Sequence, residues 1–280
     1  MTAKIFVIGP GRVGKTLARI HAQAGQEVIL CGRRPGAWQA WARKNGLATQ
    51  TAVGGTEKLN GLLFCVQDDV LADAISAWQG ASVSWTAHVS GLFGPEILQK
   101  IPAKTHAALH PVFPFARAPS KTHSLKDVLV SLEVLGSAAP AKRCVKTWGA
   151  KWLSFPPSCD RARYHAALCL VSNQVMGVLG LAEQLLLGGS FPAAVSKPLL
   201  QSLANHALHQ WGELGFHDAI TGPLARGDSA ALKRQLKVLK TKERHSYLAQ
   251  LRALYPVLES GGHYSVAQKK ILKQLLEMNS

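Results

Sequence analysis

The chain has 280 residues, 47% hydrophobic and 17% charged, which is enough apolar material for a buried core and excludes a disordered polymer. Lys and Arg number 32 against 16 Asp and Glu, a net charge of +16, so the surface attracts anions without specifying a fold. The five cysteines (Cys31, Cys65, Cys144, Cys159 and Cys169) are odd in number and none is spaced C-x-x-C, which argues against a disulfide framework or a zinc ribbon and for a reducing, cytoplasmic setting.

At about 100–200 residues per domain the length suggests two domains. The opening Met1-Thr2-Ala3-Lys4 shows no signal-peptide pattern. Lys4–Ile8 reads as a buried strand, and Arg12–Ala24 as a helix with Val13, Leu17, Ala18, Ile20 and Ala24 on its apolar spacing. Glu27–Cys31 is the next strand and Ala37–Lys44 the next helix. Gly61–Val66, Val83–Val89 and Ala107–Leu109 continue the strands, with a helix over Val70–Trp78. This cadence predicts an α/β unit, a parallel sheet with helices on both faces. Strands over Val128–Val134 and Trp152–Phe155 flank a helix over Ala141–Trp148, and Pro156-Pro157 then breaks the chain.

Beyond Pro157 every pattern is helical: Arg161–Leu187, Lys197–Leu214, Ser229–Lys240, Glu243–Leu258 and Ser265–Met278. The expected domains are therefore 1–157, an α/β doubly wound sheet, and 158–280, all-α. The apolar stretch Ala166–Leu187 is interrupted by Ser172, Asn173, Gln174, Glu183 and Gln184, and a buried helix of a soluble protein accounts for it better than a membrane span.

The strongest local signal is Gly9-Pro10-Gly11-Arg12-Val13-Gly14, which follows a strand and opens a helix. In that context the first glycine makes the turn, the second admits a pyrophosphate and the third lets helix and sheet pack closely. The helix N-terminus adds free N–H groups for phosphates. Dinucleotide binders that prefer NAD place an acid after the second strand, for the ribose 2′-OH. Here the residues are Cys31-Gly32-Arg33-Arg34. Two guanidiniums suit a 2′-phosphate, so NADP is the expected cofactor, with Arg12 as a further contributor. Val66 and Gln67, at the end of the third buried strand, complete the expected cofactor site.

Substrate in such sheets sits outside the carboxyl ends of the strands. Gln67-Asp68-Asp69, His88-Val89-Ser90-Gly91 and His110-Pro111 fall there. Asp69 before a helical run reads as an N-cap. Ser90 and His88 lie in a loop position that commonly carries function. On the long helix His165, Cys169 and Asn173 recur every four residues, with Ser172 beside them. Eight residues separate His165 from Asn173, about 12 Å along an α-helix. Polar groups on so apolar a helix are satisfied core residues or face a ligand. Cys169 reads as packing rather than as a nucleophile.

The motifs GPGRVG (9–14), VQDD (66–69), HVSG (88–91), LHP (109–111), YHAA (164–167), SN (172–173) and TGPLARGD (221–228) occur in this order. Through most of its length the chain resembles the NADP oxidoreductases that join a Rossmann-like domain to a helical domain of uncharacterised function. These are relatives of the phosphogluconate, hydroxyisobutyrate, ketopantoate and pyrroline-carboxylate enzymes. The resemblance implies a helical second domain that commonly dimerises, a small anionic substrate, and a first long helix that contributes to the site. The better-known relatives carry a Lys and an Asn four residues apart on that helix. This chain has no Lys there, and His165 and Asn173 are the nearest candidates.

Two functions follow as expectations. The first is an NADPH-dependent reductase of a small carbonyl or imine acid, a 2-keto acid of the ketopantoate type first and a cyclic imine acid second. His165 is the expected acid, with Asn173 and Ser90 as hydrogen-bond donors. The second is a sensor or scaffold that binds NADP without turnover, which the missing Lys favours. Nucleic acid is a weaker expectation: Lys233–Arg252 is basic but offers Tyr247 as its one aromatic and no recognised module. Neither a metal site nor a membrane partner is expected.

Overall fold

A computed structural model of the chain describes residues 4–51, 54, 58–116 and 124–277. The polypeptide resolves into two compact units, Met1–Ser172 and Asn173–Ser280. In the first, β1 (Lys4–Ile8), α1 (Arg12–Gln23), β2 (Glu27–Cys31), α2 (Ala37–Lys44), β3 (Ala48–Gln50), β4 (Lys58–Phe64), α3 (Leu71–Ser76), β5 (Ser82–His88), β6 (Thr105–Pro111), β7 (Leu129–Gly136), α4 (Ala138–Thr147) and β8 (Lys151–Ser154) follow one another. The eight strands form one sheet in the order β3-β2-β1-β4-β5-β6-β7-β8. The first six are parallel and reproduce the doubly wound order, with the topological switch between β1 and β4.

The sequence Lys4–Ile8 explains why both faces are covered. Successive strand residues point to opposite faces. Ile5 and Val7 pack with Leu17, Trp38, Ala42, Val145 and Trp148 from α1, α2 and the α4 region. Phe6 and Ile8 pack on the other side with Leu71, Ile75, Trp78 and Leu98. An apolar run without alternation is what a strand buried on both faces requires. Burial of each such side chain contributes about 1.5–3 kcal/mol. His21 is fully buried between two partners: Gln26 Oε1 accepts from Nδ1, and Trp148 Nε1 donates to Nε2 at 2.9 Å, tying α1 to the end of α4.

The sheet departs from the wholly parallel expectation at one place. β7 runs antiparallel to β6, and β8 is parallel to β7. A parallel return requires a crossover, usually helical, and the described residues of 112–128 form no helix. The third buried run starts earlier than expected: β4 is Lys58–Phe64, leaving Cys65 and Val66 in the loop beyond it. The helix expected from Val70 opens as a 3-10 turn over Asp68–Val70 before α3. Gln67 occupies the N-cap of that turn and no side-chain cap bond forms, so Asp69 does not act as the expected cap. β3 and a 3-10 helix over Pro95–Lys100 add to the expected elements.

After Pro156-Pro157, α5 (Arg161–Cys169) starts on Asp160, whose carboxylate accepts from Arg163 N. A π turn over Leu170–Gln174 joins it to α6 (Val175–Gly188). The division between the two compact units falls within that turn. The second unit continues with α7 (Ala193–Leu214), α8 (Phe216–Ala219), α9 (Ser229–Val238), α10 (Thr241–Ser260) and α11 (Val266–Glu277). Its core joins Leu232, Leu248, Leu251, Tyr255, Leu258, Leu272 and Leu275. The expected helix end at Met278 lies outside the described residues.

Arg161–Gly188 is long and apolar enough to cross a membrane by length and composition. The burial expected of Ala166–Leu187 is not found within this chain: no residue of α6 is buried, and Val171 is 72% and Met176 63% exposed. On α7, Leu203, Leu208 and Trp211 are likewise exposed. These helices present apolar side chains that the single chain leaves uncovered.

Candidate functional site

The glycine loop is shaped by close packing. Gly9 lies at φ 104°, a conformation open to glycine, and a β-carbon on it would stand 2.6 Å from Cys65 O. Its N–H donates to Cys31 O at 2.9 Å, while Cys65 N donates to Ile8 O at 2.7 Å, so the loop is pinned to the ends of β2 and β4. A β-carbon on Gly14 would run into the Gly9 carbonyl. Gly11 differs: a β-carbon there meets nothing within 4 Å. The protein itself tolerates a side chain at Gly11, so the glycine serves whatever approaches the loop from outside. Gly11 is also the N-cap of α1, with no side-chain cap and no acid in the first turn, which leaves the N–H groups free for an anion.

A cavity of about 290 Å³ adjoins this loop, lined by Ile8, Gly9, Pro10, Cys31, Gly32, Arg33, Val66, Gln67, Val70, Asp73, Ala74 and Trp78. Of the residues expected to hold the cofactor, Gly9, Pro10, Arg33, Val66 and Gln67 line this cavity. Arg34 is not part of the lining; its carbonyl accepts from Trp38 Nε1 at 3.0 Å. Arg12 donates to Phe115 O at 3.4 Å, and Val13 packs against the core. Sequence reasoning missed Ile8, Cys31, Gly32, Val70, Asp73, Ala74 and Trp78. A β-carbon on Gly32 would strike Trp38 and Pro10. The buried Trp78 indole N–H has no partner among the described residues. An open phosphate approach, an arginine in place of an acid and an orphaned donor in the cavity wall fit a phosphorylated dinucleotide.

Further along the carboxyl edge the site is made of side chains. His88 is buried with both ring nitrogens engaged: Nε2 donates to Gly94 O at 3.0 Å and Nδ1 accepts from Ser90 N at 3.2 Å. Burial pushes its pKa down to about 4, so it is a neutral strut for the loop. Ser90 Oγ accepts from Leu92 N at 3.0 Å and Phe93 N at 3.4 Å, which leaves its hydrogen to donate.

His110, Tyr164 and His165 gather beside Gly91. The His110 and His165 ring centroids are 6.0 Å apart, and His110 Nδ1 lies 3.0 Å from Tyr164 Oη. Cys169 Sγ is 3.7 Å from His165 Nδ1, as the four-residue spacing predicts. Arg161 pairs with Glu133 and stacks over the Phe155 ring at 4.0 Å. Burial, and then the neighbouring His165, push His110 down to about 4.

Asn173 is exposed and lies inside the π turn. The turn breaks the 3.6-residue period, so the common-face spacing that joins His165 to Cys169 does not extend to Asn173. Ser172 Oγ donates to Leu168 O at 2.7 Å. No group of three or more metal-ligating side chains occurs among the described residues.

Residues 4–87 match the family described as NADP oxidoreductase, coenzyme F420-dependent. Residues 137–256 match a domain of unknown function, DUF2520. No curated protein matches the chain. Among solved structures, a Bacteroides fragilis protein described provisionally as an NADP oxidoreductase is 19% identical with a TM-score of 0.73, covering 91% of this chain and 98% of its own. A reductive aminase from Aspergillus terreus, solved with NADPH4, cyclohexanone and allyl amine, is 14% identical with a TM-score of 0.63 over 98% and 100% of the two chains. Pyrroline carboxylate reductase from Plasmodium falciparum, solved with NADP, is 11% identical with a TM-score of 0.58 over 91% and 98%. At these identities the structures speak for the fold.

Proposed function

We propose, for a chain that combines an NADP oxidoreductase domain with a C-terminal domain of unknown function, that it is an NADPH-dependent reductase of a small carbonyl or imine acid. The observation that carries this reading is the cavity beside the glycine loop, where Arg33 stands on the wall in place of the acid that a free ribose 2′-OH calls for. Gly9, Pro10, Gly11, Arg12, Val13 and Gly14 hold the pyrophosphate against the α1 N-terminus. Arg33 and Arg34 receive the 2′-phosphate, and Val66 and Gln67 close the loop side. When bound, the cofactor supplies a hydride.

The chain's own residues supply the rest. His165 holds the proton for the reacting atom, and Ser90 Oγ–H donates a hydrogen bond to the substrate. A 2-keto acid of the ketopantoate type is our first substrate and a cyclic imine acid our second. The named aminase and pyrroline carboxylate reductase support the imine alternative. Our reading includes a cytoplasmic homodimer. The described cysteines are all free, which suits a reducing compartment, and the exposed apolar side chains of α6 and α7 suit burial by a second copy.

Titration of the purified protein with NADPH and with NADH tests the cofactor assignment. Tighter NADPH binding is expected, and equal affinities overturn it. A panel of keto acids and cyclic imines then tests turnover. NADPH binding without oxidation by any of them transfers support to a non-catalytic NADP sensor.

A further inference from the structure

His110 is the ring at the carboxyl edge whose partners do more than pack it. On β6 it stands directly opposite Ser131 of β7 in the antiparallel register, so the two side chains share a face at close range. Tyr164, from α5, reaches the same point. Its hydroxyl lies 3.0 Å from His110 Nδ1. Its ring packs edge-on to Phe155, with centroids 5.1 Å apart, which fixes the direction of the phenol.

A phenol that donates its hydrogen to Nδ1 makes that ring nitrogen the acceptor. The imidazole hydrogen is then on Nε2. Among the described residues Nε2 has no hydrogen-bond partner. It faces Gly91, where a β-carbon would stand 3.1 Å from Nε2 and 2.8 Å from His165 Cδ2. Two imidazole edges thus border one glycine at the strand ends where ligands of such sheets bind.

We propose that His110, oriented by Tyr164 with its hydrogen on Nε2, is a catalytic hydrogen-bond donor to the oxygen or nitrogen of the substrate's double bond. The assignment rests on the reductase reading above. It divides the labour: a fixed dipole at His110 stabilises charge that gathers on the reacting atom, while the proton itself belongs to His165. Tyr164 is a positioning residue. The charged and titratable neighbours of His110 are His165, Asp68, Arg161 and His88. A donor that keeps its hydrogen serves carbonyls and uncharged imines, whose reacting atom gains negative charge. It offers nothing to a preformed iminium ion, so the substrate class narrows to the first two.

The test has two arms. In the first, two-bond proton–nitrogen spectra of the 15N-histidine protein are recorded from about pH 5 to 8, the range in which an ordinary histidine titrates. His110 should remain the uncharged Nε2–H form throughout, and Tyr164→Phe should mix the two tautomers. An Nδ1–H form in the wild type, or titration of His110 within that range, overturns the proposal. In the second arm NADPH oxidation is followed with ketopantoate and with pyrroline carboxylate. His110→Phe, which removes the donor, should lower kcat about 10²-fold with NADPH affinity unchanged. Tyr164→Phe should lower kcat less and add an acidic limb to the pH profile. Wild-type turnover by His110→Phe overturns the proposal while leaving the reductase reading intact. A wild-type protein that binds NADPH but reduces neither probe counts against that reading, and the substrate-facing role of His110 falls with it.

Discussion

The two ends of the sheet's carboxyl edge are built of different material. Beside β1 and β4 the site is backbone: three glycines in six residues, of which Gly9 and Gly14 exclude a β-carbon and Gly11 leaves open space, with Gly32 across from them. Beside β5 and β6 it is side chain: His88, Ser90, His110, Tyr164 and His165, drawn from two strand ends and a helix, with His110 and Tyr164 54 positions apart. A backbone site must be written in consecutive residues, because only local dihedral freedom and close approach create it. A side-chain site is assembled by register and packing and leaves no local spacing to read.

The sharpest way to break this comparison is at Gly14. Gly14→Ala drives a β-carbon into the Gly9 carbonyl, and loss of soluble, folded protein is expected, measured by thermal denaturation and recovery. At the other end His165→Gln should preserve the fold and NADPH binding but lower kcat by about 10²–10⁴-fold, the usual range for a general acid; steady-state kinetics and a binding titration check both halves.

The buried histidines set an acid limit. Burial holds His88 and His21 at about 4, against an ordinary 6.5. Between these values the unfolded chain takes up protons that the folded one refuses. Stability is therefore full above about pH 6.5 and falls as pH drops toward 4, by ~3 kcal/mol per histidine. Urea denaturation across that window measures the slope, and His88→Gln should flatten it. Gly11→Val, in contrast with Gly14→Ala, should leave the melting temperature almost unmoved while weakening NADPH about tenfold or more, ~1.4 kcal/mol. Normal NADPH binding by that variant would remove the loop from the phosphate site. The smallest effect separates the two arginines: Arg33→Ala should weaken NADPH more than Arg34→Ala and leave NADH unchanged, since Arg33 lines the cavity.

The sheet was legible wherever burial on both faces forces an apolar run, as in Lys4–Ile8 and Glu27–Cys31. Ala48–Gln50 was not, because a three-residue edge strand buries no such run. The reversal at β7 was hidden because strand sequences carry no direction; the intervening chain decides it. His110 and His165 were legible as polar residues at a strand end and on an apolar helix. Tyr164 was passed over between them, since its place beside Ser131 depends on the β6–β7 register. The π turn was invisible to periodicity, which reads Leu170–Gln174 as ordinary helix, and with it went the spacing of Asn173.

Trp78, 1% exposed in the cavity wall, and Trp38, braced behind Gly32 by its bond to the Arg34 carbonyl, give the nucleotide end an optical property. Indole emission overlaps the absorption of a reduced nicotinamide, and it responds to the packing around the ring. Occupancy of the loop therefore announces itself in the protein's own fluorescence, without a dye or a known substrate, and replacing either tryptophan with phenylalanine would show which ring reports the arrival of the ligand.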